Sequence, residues 1–273
     1  MDLRIFDVEH GACALLTTDT GHRLMVDCGH NATTGWYPGD YLVGRQIGRL
    51  DALCISNYDQ DHISGFPNLA DQVQIGTIFR NTSVAPEVIW RLKSEDGIVS
   101  AAMTRFVRVI SQQFGPPGAA PAIQLPGVAY RVYRNGYPAF EDENNLSLVM
   151  GVRFGSCNFL FTGDLEAAGW LHLLRTNPAF RSEVAATHVL IAAHHGRENG
   201  ICTELFDVYG CRPQLVVISD DYHQYDTQQT VAYYRTKCTG ISNFRGQGRR
   251  HVLTTRRDGE VTFVASPQGV IAL

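Results

Sequence analysis

"SNYDQDHISG", residues 56–65, follows the apolar run Ala52, Leu53, Cys54, Ile55 and places Asp59, Asp61 and His62 within four positions. A run that reads as a buried strand and ends in two carboxylates and an imidazole is either closing in a turn or presenting ligands. Taken alone, Asp-Gln-Asp is a turn that caps the next helix, because aspartate oxygens accept its first free amides. The pattern recurs, however. Asp27 follows RLMV (23–26), Asp164 follows NFLFTG (158–163), and His194 and His195 follow VLIAA (189–193). Each of these also has a plain reading as a turn or loop tip. Strand ends that gather at one sheet edge build a rigid pocket from distant positions, and Asp59, Asp61, His62, Asp164 and His194 would then supply oxygen and nitrogen donors. Such donors suit zinc, manganese or iron better than a thiolate-seeking metal.

Outward from this stretch, short apolar runs bounded by Gly, Asp or Asn predict about a dozen strands. The first series is LRIF (3–6), ACALLTT (12–18), RLMVDC (23–28), ALCIS (52–56) and TIF (77–79). The second is VAYRVY (128–133), LSLVMGVRF (146–154), CNFLFT (157–162), HVLIAA (188–193), QLVVIS (214–219) and a closing pair, HVLTT (251–255) and EVTFVA (260–265). Apolar spacing predicts helices over 41–50, 86–93, 98–114, 166–175, 203–208 and 228–237. Antiparallel strands first and alternation later imply an α/β fold in layers, two sheets packed together with helices outside. The four prolines of GPPGAAPAIQLPG (115–127) predict a loop after a helix pair.

At 273 residues, 44% hydrophobic and 18% charged, the chain is long enough for one sizeable core, and it reads as a single domain over 1–273. A net charge of −4 gives no global attraction to polyanions, so a nucleic-acid site would have to be a local patch. The start lacks a basic segment followed by an apolar one, and no apolar stretch reaches about 20 residues, which predicts no membrane partner and a cytoplasmic location. Seven dispersed cysteines without a C-x-x-C pair predict reduced, structural thiols.

The segments FDVEHGACALL (6–16), LMVDCGHN (24–31), SNYDQDHISG (56–65), ENNLSLVM (143–150), FLFTGDLE (159–166), AAHHGREN (192–199) and ISDDYHQYDT (218–227) together resemble the metallo-β-lactamase superfamily, and more closely its competence-type branch, the ComEC-type hydrolases. The matching pieces span nearly the whole chain; 82–125 matches nothing in the pattern and is expected to be a helical and loop insertion over the site. The resemblance implies a four-layer αββα sandwich. It also implies two metal positions. One would draw on 57, 59 and the pair Asn144-Asn145; the other on Asp61, His62 and His194, with Asp164 bridging.

The two positions are unequally equipped. The family cluster H-x-H-x-D-H, or H-x-D-x-D-H in the competence branch, begins here with Asn57, and amide oxygens are weak ligands for transition metals. The expectation is one divalent metal, zinc or manganese, and at most a second, weakly held ion lined by Asn57, Asn144 and Asn145. Where the branch ends in Tyr-Gly-His-Pro, this chain has Tyr225-Asp226-Thr227-Gln228, with His223 as a nearby substitute or a solvated loop histidine.

In the implied chemistry a metal-activated water is the nucleophile, Asp61 orients it or takes its proton, His195 is the general acid, and Asp27 fixes a ligand imidazole from behind. The competence branch implies a phosphodiesterase or nuclease. FRGQGRRHVLTTRR (244–257) agrees, offering Arg245, Arg249, Arg250, Arg256 and Arg257 to nucleic acid, or else a solvated hairpin that splits these charges between two faces. Two other readings stand: a small-molecule ester, thioester or amide metallo-hydrolase, and a non-catalytic binding protein.

Overall fold

The structure, a computed structural model, describes residues 1–95, 97–114, 123–222, 226–266 and 269–273. The chain opens with β1 (Asp2–Ile5), β2 (Ala14–Thr17), β3 (Arg23–Val26), the helix α1 (Pro38–Val43), β4 (Arg49–Leu50) and β5 (Ala52–Cys54). The short helices α2 (Gln60–Ile63) and α3 (Phe66–Gln72), the strands β6 (Gln74–Ile75) and β7 (Ile78–Phe79), and the helix pair α4 (Pro86–Glu95) and α5 (Ala101–Gln112) complete the first half. The second half runs β8 (Val128–Arg134), β9 (Leu148–Phe154), β10 (Cys157–Phe161), α6 (Ala167–Thr176), α7 (Pro178–Ala185), β11 (Val189–Ile191), α8 (Thr203–Asp207), β12 (Leu215–Ile218), α9 (Val231–Lys237), β13 (Val252–Thr254), α10 (Thr255–Asp258), β14 (Val261–Ser266) and β15 (Gly269–Ala272).

Among the described residues these strands form a seven-stranded sheet, β15-β14-β1-β2-β3-β5-β7, a six-stranded sheet, β13-β12-β11-β10-β9-β8, and the small pair β4-β6. Period-two alternation decides what each face meets. Leu3, Leu16, Leu24 and Cys54 of the first sheet share one buried cluster with Met150, Phe159, Val189 and Val217 of the second. The opposite face of the first sheet, Leu15, Met25 and Leu53, is covered by Leu42, Leu69, Ile89 and Phe106 from the helices. Val149, Leu160, Leu190 and Val216 of the second sheet lie under Trp170, Leu173, Phe180 and Phe206. The result is the expected αββα sandwich, with its main core between the sheets.

Each sheet has an antiparallel and a parallel portion. β3, β5 and β7 run parallel, as do β10, β11, β12 and β13. Parallel strands deliver their carboxyl ends to one edge, where α/β folds place ligands. The tips of β3, β5, β10, β11 and β12 carry Asp27, the 56–62 cluster, Asp164, the histidine pair and Ser219-Asp220.

Several expectations are corrected. The helix expected over 41–50 stops at Val43: Gly44 closes it, Gln46 takes a left-handed φ of 60°, and Arg49–Leu50 is a strand. HVLTT and EVTFVA are not a hairpin. β13 pairs in parallel with β12, whereas β14 lies antiparallel to β1 in the other sheet, and the hairpin is β14–β15. The segment 82–125 supplies α4 and α5; of the predicted loop, 115–122 lies outside the described residues, as does His223.

The arginine tract is largely spent on holding the C-terminal segments. Arg250 Nη2 donates to both carboxylate oxygens of Asp258, at 2.9 and 2.7 Å, and Arg256 pairs with the buried Asp220. Arg245 donates to the carbonyls of Asp258, Glu260 and Leu273. Of the five, only Arg249 and Arg257, both exposed, lack a hydrogen bond or ion pair among the described residues. Arg245 and Arg250 thus spend donors of both terminal nitrogens within the chain and Arg256 those of one, which gives all three a structural part. No helix among the described residues is long and apolar enough to cross a membrane.

Candidate metal centre

Asp61, His62, Asp164 and His195 each offer one donor atom, and among the described residues these atoms lie within 4.8 Å of one another. Asp61 and His62 arrive on α2, just past the tip of β5, and Asp164 and His195 follow β10 and β11, so the group straddles the two sheets. The turn before Asp164 needs a glycine. Gly163 has φ +53°, and a Cβ there would come within 3.0 Å of both Ser147 Oγ and Ser56 Oγ. Ser147 Oγ accepts the Asp164 amide at 3.1 Å, which fixes the turn from the neighbouring strand.

Both imidazoles are oriented from behind. His62 Nδ1 lies 3.0 Å from Asp27 Oδ2, the contact expected of an orienting carboxylate, and Asp27 is itself held by the Ser56 amide at 2.7 Å and the Ser56 hydroxyl at 2.5 Å. His195 Nδ1 lies 2.8 Å from the Ser219 carbonyl. A carbonyl oxygen can only accept, so Nδ1 of His195 carries a hydrogen, and the carboxylate imposes the same tautomer on His62. In the neutral rings both Nε2 atoms are then lone pairs, and both face carboxylates: His62 Nε2 is 3.0 Å from Asp164 Oδ1, and His195 Nε2 is 2.9 Å from Asp61 Oδ2 and 3.4 Å from Asp164 Oδ1.

Lone pairs facing carboxylate oxygens in a buried space require a cation between them, a proton or a metal ion. In the absence of a metal the site takes protons. Burial pushes the His195 imidazole down, but Asp164 and Asp61 overcome it and hold its pKa up at about 9. Burial opposes protonation of His62 as well, yet Asp164 and Asp27 raise it well above the ordinary value. Burial would lift Asp164, and the facing His62 and His195 instead hold it well below the usual carboxylate range. Two imidazoles and two carboxylates are a donor set suited to one zinc or manganese ion.

The two adjacent histidines are not placed as expected. His195, not His194, enters the group. His194 Nδ1 sits 3.5 Å from Glu166 Oε1, and its Nε2 lies 3.4 Å from Arg197 Nη1. The cause is the backbone: His194, His195 and Gly196 have φ of 51°, 51° and 71°, and three consecutive left-handed residues turn the second ring, not the first, into the site. For two non-glycine residues this conformation costs about 1–2 kcal/mol each. Burial lowers the His194 pKa, so that ring is neutral.

Asp59 is likewise outside the group. Its carboxylate is met by the Lys93 ammonium, which comes from α4 and lies 3.1 Å from Glu143 Oε1 as well. Burial would lower the Lys93 pKa; Asp59 and Glu143 raise it instead. Asn57 and Asn144 bond to each other at 3.2 Å. Asn145 Oδ1 accepts the Gly169 amide at 2.7 Å, in the first turn of α6, which makes it a structural residue.

The rim holds residues to which the sequence reading gave no part. His10 packs against His195 with ring centroids 4.6 Å apart and the planes tilted by 42°, and Arg197 Nη2 lies 2.9 Å from His10 Nε2. Burial, then the nearby His195 charge, brings the His10 pKa down to about 4, so it accepts from the guanidinium as a neutral ring. Both residues lie inside the recognised segments FDVEHG and AAHHGREN, which was the only signal for them. Of the four grouped residues Asp61 is the most exposed, and it lines two clefts, one with His10, His30 and Ser64, the other with Lys93, Val99 and Met103.

Residues 7–187 match the model of the metallo-β-lactamase superfamily. ComE operon protein 3 of Bacillus subtilis (strain 168) is 23% identical over 220 residues, covering 77% of this chain; the chain spans only 26% of that protein's length. Among solved structures, the metallo-β-lactamase fold protein YhfI from Bacillus subtilis is 14% identical, with 96% of this chain and 100% of that one covered and a TM-score of 0.47. Human tRNase Z, short form, is 14% identical over 80% of this chain and 91% of its own, at a TM-score of 0.43. With the family model matching well over half of the chain, residues 7–187, the chain belongs to the metallo-β-lactamase superfamily.

Proposed function

We propose that this hydrolase-family protein is a metal-dependent phosphodiesterase in which Asp61, His62, Asp164 and His195 hold one divalent ion, zinc or manganese. The observation that carries the reading is the pair of buried Nε2 lone pairs, fixed by Asp27 and the Ser219 carbonyl, converging with two carboxylates. The bound ion supplies Lewis acidity toward both water and the ester under attack. Asp61 reaches the clefts and takes the proton of the attacking water. Asp27 and Ser219 keep both rings in one tautomer, so that neither drifts to a protonated Nε2. Arg197, beside His10 and His194, brings a guanidinium to the rim, where it would bind the non-bridging oxygens of a phosphodiester. The resemblance of the chain's motifs to the competence-type branch supports the same substrate class, nucleic acid included. Protonation of the leaving oxygen falls to a group outside the ligand set, because His195 is occupied.

A second reading has one observation in its favour: the cleft beside Asp61 is walled by Ile98, Val99 and Met103, an apolar surface suited to an acyl group. Elemental analysis of the purified protein and of His62→Ala, followed by hydrolysis of bis(p-nitrophenyl) phosphate and of p-nitrophenyl and thio esters with the bound metal, separates the readings. Diester turnover lost in His62→Ala and weakened by Arg197→Ala is expected. Carboxylic or thioester turnover without diester turnover would replace the phosphodiesterase reading, and failure to bind zinc or manganese would refute both.

A further inference from the structure

The residues standing where the family resemblance implies another metal position do not fit a metal ion. Asn57 Oδ1 accepts the Asp59 amide at 2.8 Å, and Asn57 Nδ2 donates to Asn144 Oδ1 and Ser147 Oγ, each at 3.2 Å. Asn144 Nδ2 donates to Glu166 Oε1 at 3.0 Å. Both amides are therefore engaged, oxygen and nitrogen alike. What remains there is the Asp59 carboxylate, and Lys93 meets it directly while reaching Glu143 Oε1 at 3.1 Å. The Lys93 side chain is 14% exposed, and its helix is anchored one residue earlier by the buried Leu92. Its position is set by packing and not by the reach of a solvated side chain.

We infer that Lys93 takes the place of a second cation, so that the chain works with one divalent ion and one fixed ammonium beside it. The inference rests on the reading of the four-residue group as a metal site and adds to it. Asp61 of that group and Lys93 line one cleft with Asp59 and Gln60. A substrate entering there meets the ammonium and the solvent-reached carboxylate together. The substitution changes what this side of the site can do. An ammonium donates up to three hydrogen bonds to anionic oxygens and carries a single charge, but it has no vacant orbital, so it positions an anionic substrate without polarising it as a Lewis acid. The lysine is supplied by α4, within 82–125, the segment the sequence reading expected to be an insertion over the site.

The test is the number of divalent ions bound by the full chain, read by calorimetric titration with manganese and by elemental analysis after removal of excess ion. Wild type is expected to take up one equivalent. Lys93→Met leaves Asp59 and Glu143 facing each other without a counter-charge and is expected to take up a second, weaker equivalent, which Lys93→Met with Glu143→Gln loses again. Retention of the first equivalent in both variants shows that they are folded. Two equivalents in wild type, or one equivalent in Lys93→Met, would overturn the inference and leave the hydrolase reading intact. No bound manganese or zinc in any of the proteins would overturn the metal reading, and the inference with it.

Discussion

Replacing Asp27 by asparagine tests the claim that a buried carboxylate decides which nitrogen of His62 is free. Asp27 is nearly solvent-excluded, and its two oxygens accept from the Ser56 amide, the Ser56 hydroxyl and His62 Nδ1. An amide keeps one oxygen for the Ser56 N–H but turns an NH2 toward His62. Two donors then face each other, and the ring relieves the conflict by moving its hydrogen to Nε2, where Asp164 Oδ1 waits at 3.0 Å. The fold keeps its hydrogen bonds, but the metal group loses a lone pair. A hydrogen bond to a charged group contributes about 1.5–3 kcal/mol, and each ~1.4 kcal/mol is tenfold in affinity, so zinc affinity should fall about 10- to 100-fold. Competition against a chromophoric chelator at neutral pH measures this directly. Ser56→Ala, which removes one donor to Asp27 and a 3.2 Å contact to His62 Nδ1 but leaves the Asp27–His62 pair, should change affinity far less. Wild-type affinity in Asp27→Asn would refute the tautomer argument, and an equal loss in Ser56→Ala would show that packing around the carboxylate, and not the proton position, is what matters.

Arg250→Ala should destabilise the protein by about 3 kcal/mol in urea unfolding, because it strands the buried Asp258, whose carboxylate also accepts the Thr254 amide; a loss of nucleic-acid affinity without loss of stability would contradict the structural role of the tract. Gly163→Ala should cost about 1–2 kcal/mol for its left-handed φ alone and, by displacing Asp164, weaken metal binding as well; an unchanged chelator competition would count against the Gly163 turn as the device that places Asp164. The metal-free protein should lose stability as pH rises from about 6.5, the ordinary histidine value, through about 9, since the folded state holds the His195 proton more tightly than the unfolded chain; saturating metal should flatten that dependence, and a flat profile in both forms would refute the cation requirement of the site. All seven cysteines should resist thiol reagents in the native state and react on unfolding: six are buried, and burial pushes Cys157, Cys211 and Cys238 up to about 12; rapid native labelling would contradict this.

What the sequence disclosed, and what it withheld, follows the range of the forces involved. The apolar runs and their polar tips are local features, so β1, β3, β5, β10 and β11 and the ends bearing Asp27, Asp61, Asp164 and the histidines were legible. α7 carried a start signal that went unread, Asn177 capping the Phe180 amide ahead of Pro178. The choice between His194 and His195 was not legible, because it depends on backbone handedness after β11 and both residues are the same chemical species. Lys93 was hidden for a different reason. Its partners, Asp59 and Glu143, belong to other segments, and a lysine on an amphipathic helix reads as part of a solvated face until the tertiary fold brings the carboxylates to it. Arg250 and Arg256 show the converse error, a dense basic tract whose partners were invisible in one dimension.

β1 lies between β2 and β14, with Leu3 opposite Phe263. During synthesis at about 5–20 residues per second, β1 leaves the ribosome tens of seconds before its second neighbour exists. Throughout that interval β1 is itself an edge strand, and an open edge is a template for pairing with any other chain. β14 is therefore the strand that covers β1 in biogenesis: a ribosome that stalls before residue 261 releases a chain in which all four grouped residues are present but β1 is an edge ready to recruit a neighbour. Chaperone dependence and aggregation of such nascent chains would trace to β1, far in sequence from the point of arrest.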